Sequence, residues 1–260
     1  MSKQAAVLFE KKTPHIGLVT LNRPKARNAI NGEVAQLMDA IVKQTEADPD
    51  IRAIILTGAG EIAFSAGADL KMISQGRGME LRTEDGGFGG FVFQPKTKPW
   101  IAAVGGYALA GGLEFVLTCD MVVASDKAVF GLPEVTRGII ASAGGVFRLA
   151  RILPKPVAME IIASGERFSA ERALQLGMIN KLVPHDSLME EAFNLAERIA
   201  ANAPLAVQES LIIARQAYSL SDEQLIQLSA EANRRIYQTE DAKEGPRAFV
   251  EKRKPVWKGR

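Results

Sequence analysis

The sequence predicts an α/β protein with a helical C-terminal region, and three observations carry that prediction. Short apolar runs of strand character alternate with helical periods over most of the chain. The last strand signal is INKLVP, residues 179–184. Beyond residue 185 the apolar residues recur only at helical spacing. The expected division is a core over residues 1–190 and a helical region over residues 191–260.

Element by element, AVLFEKK and IGLVTLNRP alternate apolar and polar residues around a Thr-Pro turn and predict an N-terminal hairpin. NGEVAQLMDAIVKQTEAD has helical spacing, with Asn31 as its cap and Glu33 in its first turn. IRAIILTG reads as a buried strand, and AGEIAFSAGADLKMI as a glycine-containing loop leading to a short helix around Leu70 to Ile73. The polar, Gly-rich QGRGMELRTEDGGFGGF predicts a mobile surface loop. From Trp100 the expected order is strand IAAVGG, a helix from about Leu113 to Cys119, strand MVVAS, and the short segment AVFGLPE. DSLMEEAFNLAERIAAN, PLAVQESLIIARQAYS and SDEQLIQLSAEANRRIYQ complete the chain as helices, and Ser221 with Gln224 has capping-box spacing. Amphipathic helices of this kind need a surface to cover.

Composition narrows the function. The chain has 260 residues, and its 32 basic and 30 acidic side chains leave a net charge of +2, which gives no electrostatic case for nucleic acid or a membrane surface. The ligand is expected to be small and local. A single cysteine, Cys119, excludes an internal disulfide framework and suits a reducing compartment. No signal-peptide block opens the sequence and no apolar run is long enough for a membrane span, so a cytoplasmic location is expected.

The sequence offers four candidate sites. GAGEIA, residues 58–63, matches a dinucleotide fingerprint after a strand, but the following EIAFSAGAD has no helical face, so a tight turn is the better reading. A serine triad fails because Ser142 lacks the flanking glycine and the two histidines, His15 and His185, lie at a hairpin and a helix start. The same scarcity of Cys and His gives no metal site. Glu114 in AGGLEF and Glu134 in FGLPEV are different. Each is a carboxylate in apolar surroundings, either a satisfied structural group or half of an acid/base pair whose pKa values burial and mutual repulsion separate. FSAGAD and LAGGLE, two Gly-containing turns ahead of short helices, can serve as ordinary turns or as converging N–H donors for an oxyanion.

Taken together, LNRPKARNAI, FSAGADLKMI, KPWIAAVGGYALAGGLEFVLTCDMVVAS, FGLPEVTRGI and FVEKRKPVWKGR resemble the crotonase (enoyl-CoA hydratase/isomerase) superfamily in order and spacing over nearly the whole chain. The resemblance implies a spiral of ββα units followed by a helical trimerisation region, commonly giving a homotrimer or a homohexamer built as a dimer of trimers. It implies an acyl-CoA substrate, with the thioester oxygen on the backbone N–H groups of Ala68 and Gly111 and with Glu114 and Glu134 as the acid/base pair around one water. It also implies CoA contacts at Lys25, Ala26, Ala66, Ala68 and Lys71, with Phe249 and Lys252 reaching a neighbouring subunit's nucleotide. No metal or redox cofactor is implied, because the thioester is itself the electron sink.

Retention of both glutamates favours hydration of a 2-enoyl-CoA over the isomerase reading. The closing KRKPVWKGR resembles the crotonobetainyl-CoA hydratase (carnitinyl-CoA dehydratase) branch, which makes a polar acyl group the alternative. One departure stands out: where many hydratases have Pro-Gly-Ala-Gly-Gly, this chain has ASAGG, with Ser142 in place of the first glycine.

Overall fold

A computed structural model describes residues 5–260; the first four residues of the stretch read above as lacking a signal segment lie outside the described residues. The chain begins with an antiparallel hairpin, β1 (Val7–Thr13) and β2 (Ile16–Leu21), followed by α1 (Gly32–Ala47). The Asn31 side chain accepts from the Val34 N–H and caps α1, as its position predicted.

Then a pattern repeats. β3 (Ala53–Gly58) leads to β4 (Ala63–Ser65) and α2 (Leu70–Ser74). After the small hairpin β5 (Arg82–Thr83) and β6 (Gly87–Phe88), β7 (Trp100–Val104) leads to β8 (Tyr107–Leu109) and α3 (Gly111–Val116). β9 (Met121–Ser125) leads to β10 (Val129–Gly131) and a 3₁₀ turn over Pro133–Arg137. In each round the first strand joins one sheet and the second strand joins another, so the chain climbs as a spiral of ββα turns. The connecting elements are α4 (Gly145–Ile152), α5 (Lys155–Ser164), β11 (Arg167–Ser169), α6 (Ala170–Gln175) and β12 (Lys181–Val183).

Among the described residues the larger sheet has the order β1-β2-β3-β7-β9-β12, parallel from β2 onward, and the second has β11-β10-β8-β4. Phe64, Phe91, Trp100, Phe115 and Phe130 fill the main core on one face of the larger sheet. The other face carries Ile16, Leu18, Ile55, Ile101 and Val123, and α7 (Leu188–Ala200) covers it. Leu188, Ala192, Ala196 and Ala200 recur every four residues and are all buried. One stripe of small side chains thus lets the helix lie close on the sheet.

The chain ends in α8 (Pro204–Gln216), α9 (Asp222–Tyr237) and α10 (Glu240–Val250), and the Ser221–Gln224 capping box is formed. Arg215 fastens α8 to the core by donating to both Asp120 carboxylate oxygens at 2.7 and 2.8 Å and to the Lys98 carbonyl at 3.0 Å. The basic tail folds back: Arg253 pairs with Glu244, the Lys258 and Gly259 N–H groups donate to Asp241, and the Trp257 indole donates to the Ala201 carbonyl.

Three expectations need correction. Residues 75–91 are a surface segment only in their first half, because Leu81, Phe88 and Phe91 are buried in the core and the intervening glycines turn the chain back on itself. The loop read over AGEIAFSAGAD contains β4, and β8 precedes the helix expected from Leu113, which starts at Gly111 and ends at Val116. Strands of three residues are too short to display an alternation.

Candidate active site

Two turns are brought against each other by the second sheet. After β4 the backbone turns at Gly67, whose φ of +89° suits glycine, and a Cβ there would lie 2.9 Å from the Gly111 nitrogen and 2.8 Å from the Ala110 Cβ. After β8 the backbone turns at Ala110, which is held at φ +52° and ψ −128° before α3 begins. A non-glycine residue in that region is strained, and the surrounding structure has to hold it there. The Ala110 N–H does so in part by donating to the Gly131 carbonyl at 2.9 Å. Among the described residues neither the Ala68 N–H nor the Gly111 N–H has a hydrogen-bond acceptor. The turns therefore present two open donors from adjoining segments.

The turn containing LNRPKARNAI is knitted to the first of these. The Ala66 N–H donates to the Arg27 carbonyl at 2.9 Å, the Ile30 N–H to the Gly67 carbonyl at 2.8 Å, and the Ser65 hydroxyl to the Asn28 carbonyl at 2.8 Å. Arg23 pairs with Asp69 at 3.0 Å. Lys25 and Ala26, in the 3₁₀ turn Pro24–Ala26, thus share one neighbourhood with Ala66, Ala68 and Lys71. Lys25 and Lys71 are exposed and Ala26, Ala66 and Ala68 are half-buried. Phe249 and Lys252 stand apart from this cluster: Phe249 lies in the last turn of α10, which packs on α9, Lys252 follows the helix end, and Phe249 is 85% exposed.

Glu114 lies one turn into α3 and Glu134 in the 3₁₀ turn after β10, and both are buried, at 4% and 7% exposure. Their environments differ. Glu114 Oε1 accepts from the Gly145 N–H at 2.9 Å. Burial pushes its pKa up, while the Gly145 and Ala143 N–H groups and then Arg148 and Arg82 hold it down. Among the described residues Glu134 Oε2 has no hydrogen-bond partner, and burial, helped by the charge of Glu114, pushes its carboxyl up to about 7. Glu114 is thereby favoured as the charged member and Glu134 as the proton carrier.

The sequence pointed to the segments 76–91, ASAGG and the surroundings of Phe147 as pocket lining without naming the individual contributors. Gly145, at the start of α4, lies where a Cβ would stand 3.1 Å from Glu114 Cγ and 2.8 Å from Ala141 Cβ. A Cβ on Gly111 would overlap the Phe88 ring, so the segment expected to be a surface loop walls the second donor. Arg148 sits between Phe147 and Phe93, its guanidinium carbon 5.1 and 5.8 Å from the two ring centroids. The AGG run and the Phe-Arg pair just after it were visible signals; their partners lie too far along the chain to be inferred.

The discarded candidates sit elsewhere. GAGEIA leads from β3 into β4 with no helix start. Ser142 is exposed, between buried Ala141 and Ala143. His15 contacts the Asp50 carbonyl at 2.8 Å, and His185 lies 3.3 Å from the Ser125 hydroxyl. Among the described residues no cluster of three or more His, Cys, Asp or Glu is arranged to hold a metal ion, and no helix is long and apolar enough to cross a membrane.

Comparison with known proteins gives consistent results. The sequence profile of the enoyl-CoA hydratase/isomerase family matches residues 11–260. Carnitinyl-CoA dehydratase from Escherichia coli K12 is 42% identical over 248 residues, covering 93% of this chain and 94% of the relative, and that from Proteus mirabilis is 42% identical over 247. The structure of an enoyl-CoA hydratase from Mycobacterium marinum matches with a TM-score of 0.94 at 41% identity, covering 99% of this chain and 100% of the other. A carnitinyl-CoA hydratase from Mycobacterium avium matches with a TM-score of 0.78 at 44% identity and the same coverage.

Proposed function

The chain belongs to the enoyl-CoA hydratase/isomerase family, and from that premise we propose that it catalyses reversible syn addition of water to a 2-enoyl-CoA, giving a 3-hydroxyacyl-CoA. The observation that carries the reading is the buried pair of unlike carboxylates, Glu114 held by a backbone donor and Glu134 with an unpartnered oxygen.

The thioester oxygen docks on the Ala68 and Gly111 N–H groups. A water lies between the carboxylates. Charged Glu114 takes one of its protons as the oxygen attacks C3, electron density moves through C2 onto the thioester oxygen, and protonated Glu134 delivers its proton to C2. Each N–H donor contributes about 3 to 4 kcal/mol to the enolate-like transition state, by analogy with oxyanion sites elsewhere. Proton transfer by the two carboxyls adds on the order of 10² to 10⁴ in rate. The thioester accepts the electron density, so the steps require no metal or redox cofactor.

CoA would run along Lys25, Ala26, Ala66, Ala68 and Lys71, with Phe249 and Lys252 serving the nucleotide of a neighbouring subunit. Exposed Tyr218, Ile226, Tyr237, Phe249 and Val250 on the helical region support assembly into a homotrimer or a homohexamer. The identity to carnitinyl-CoA dehydratases favours, as a second reading, an acyl group bearing a trimethylammonium.

The test is a panel of short, long, aromatic and trimethylammonium-bearing enoyl-CoA esters, followed by loss of enoyl absorbance. Glu114→Gln and Glu134→Gln are each expected to lower turnover by at least about 10²-fold with folding intact. Near-normal turnover by either variant on the best ester, or release of free CoA thiol instead of hydration, would overturn the proposal.

A further inference from the structure

We propose that Arg148 is a positioning residue that locks the Glu114 side of the site to its oxyanion side. The inference rests on the two-carboxylate reading above. Arg148 Nη1 donates to the Ala143 carbonyl at 3.0 Å and Nη2 to the Val92 carbonyl at 2.7 Å. The first carbonyl belongs to the turn whose Gly145 N–H binds Glu114, and the second to the segment whose Phe88 ring covers Gly111. One planar fork therefore ties together the two segments on which both halves of the chemistry depend. A lysine at this position would present a single point of contact to the two carbonyls.

The chain makes room for this group. Gly144 has φ +110° and any Cβ there would overlap the Arg148 guanidinium. Among the described residues no carboxylate forms a salt bridge with Arg148. Its guanidinium is met instead by the two carbonyls and by the Phe93 and Phe147 rings. Among the groups that act on its charge, Glu114 is the carboxylate that favours the charged form, and Arg151 opposes it. The groups facing Glu114 are the Gly145 and Ala143 N–H groups, Arg148, Arg82 and, across the site, Glu134, which itself faces Arg137. Arg148 thus fixes the donor that holds Glu114 and supplies positive charge to its ionised form.

Two variants of the full chain separate these effects: Arg148→Gln removes the charge, and Arg148→Lys keeps it while breaking the fork. Carboxyl ¹³C NMR of δ-labelled glutamate reads the Glu114 titration, assigned by loss of its signal in Glu114→Gln. Amide hydrogen exchange reads Gly145. Arg148→Gln should raise the Glu114 midpoint, because it removes a positive charge that favours the ionised form. Arg148→Lys keeps the charge and should raise that midpoint less than Arg148→Gln does, while Gly145 exchanges at least about tenfold faster, since its turn loses an anchor. An unmoved midpoint in folded Arg148→Gln, or unchanged Gly145 protection in Arg148→Lys, would overturn the proposal. Should the glutamine variant not fold, the lysine variant decides alone. Neither readout needs turnover, so a wild-type protein that hydrates no ester would end the hydratase reading without deciding the role of Arg148.

Discussion

Glu134 is stabilised in its neutral form, and that has a thermodynamic sign. Its carboxyl is raised from 4.5 to about 7 in the folded protein, so between those values the folded chain keeps a proton that the unfolded chain has released. Stability from this group is fully present below the unfolded value and is lost as pH rises through about 7. Glu134→Gln stays neutral throughout and should gain stability at pH 8 relative to pH 4, by up to about 3 kcal/mol. Thermal melts at the two pH values check it, and an equal effect at both would show that Glu134 is not held neutral by burial. The proposed proton donor empties over the same window, so kcat/KM for hydration should fall as pH rises past about 7. Glu114 and Glu134 were legible in the sequence because a carboxylate within an apolar run is conspicuous. Gly145 and Arg148 were not, since one acts through its backbone on a partner 31 residues away and the other through carbonyls that no side-chain pattern reveals.

At the scale of elements, the site depends on two turns meeting. Gly67→Ala would place a methyl group 2.9 Å from the Gly111 nitrogen at a backbone φ of +89°. The variant should lose at least about 1 kcal/mol of stability from strain alone. Its turnover should drop by about 10²-fold as the two donors are forced apart. Parallel measurement of melting temperature and of activity on the best enoyl ester tests both; full activity would mean that the close approach of the turns is irrelevant. Elements with a local cause were the ones legible in advance: the Asn31 cap, the Ser221–Gln224 capping box and the strands of the larger sheet. β4 and β8 were missed because pairing in the second sheet makes them strands. Residues 75–91 misled because their glycines and charges resemble a loop while Leu81, Phe88 and Phe91, a minority of the side chains, do the packing.

At the scale of the whole molecule, the α8 region is held to the spiral by few but charged contacts. Arg215 spans α8, Asp120 and the Lys96 and Lys98 carbonyls, and Arg52 donates to the Ala200 and Trp257 carbonyls at 3.0 Å each. Arg215→Ala should cost about 2 kcal/mol by leaving Asp120 and the carbonyls without their charged donor. Hydrogen exchange should then accelerate in residues 204–216 while β3 and β7 keep their protection; uniform acceleration throughout the chain would show that α8 has no separate opening. Division of labour between main chain and side chain has a consequence for inheritance. The donors at Ala68 and Gly111 are peptide N–H groups, present whatever residue other than proline is encoded there, so among codon changes that keep the turns only one to proline erases them. Glu114 and Glu134 can each be erased by a single codon change. If the proposed roles hold, a lineage carrying this fold would keep its grip on a thioester oxygen while the proton-handling residues drift, and new reactions could arise by exchanging side chains around a fixed electrophile.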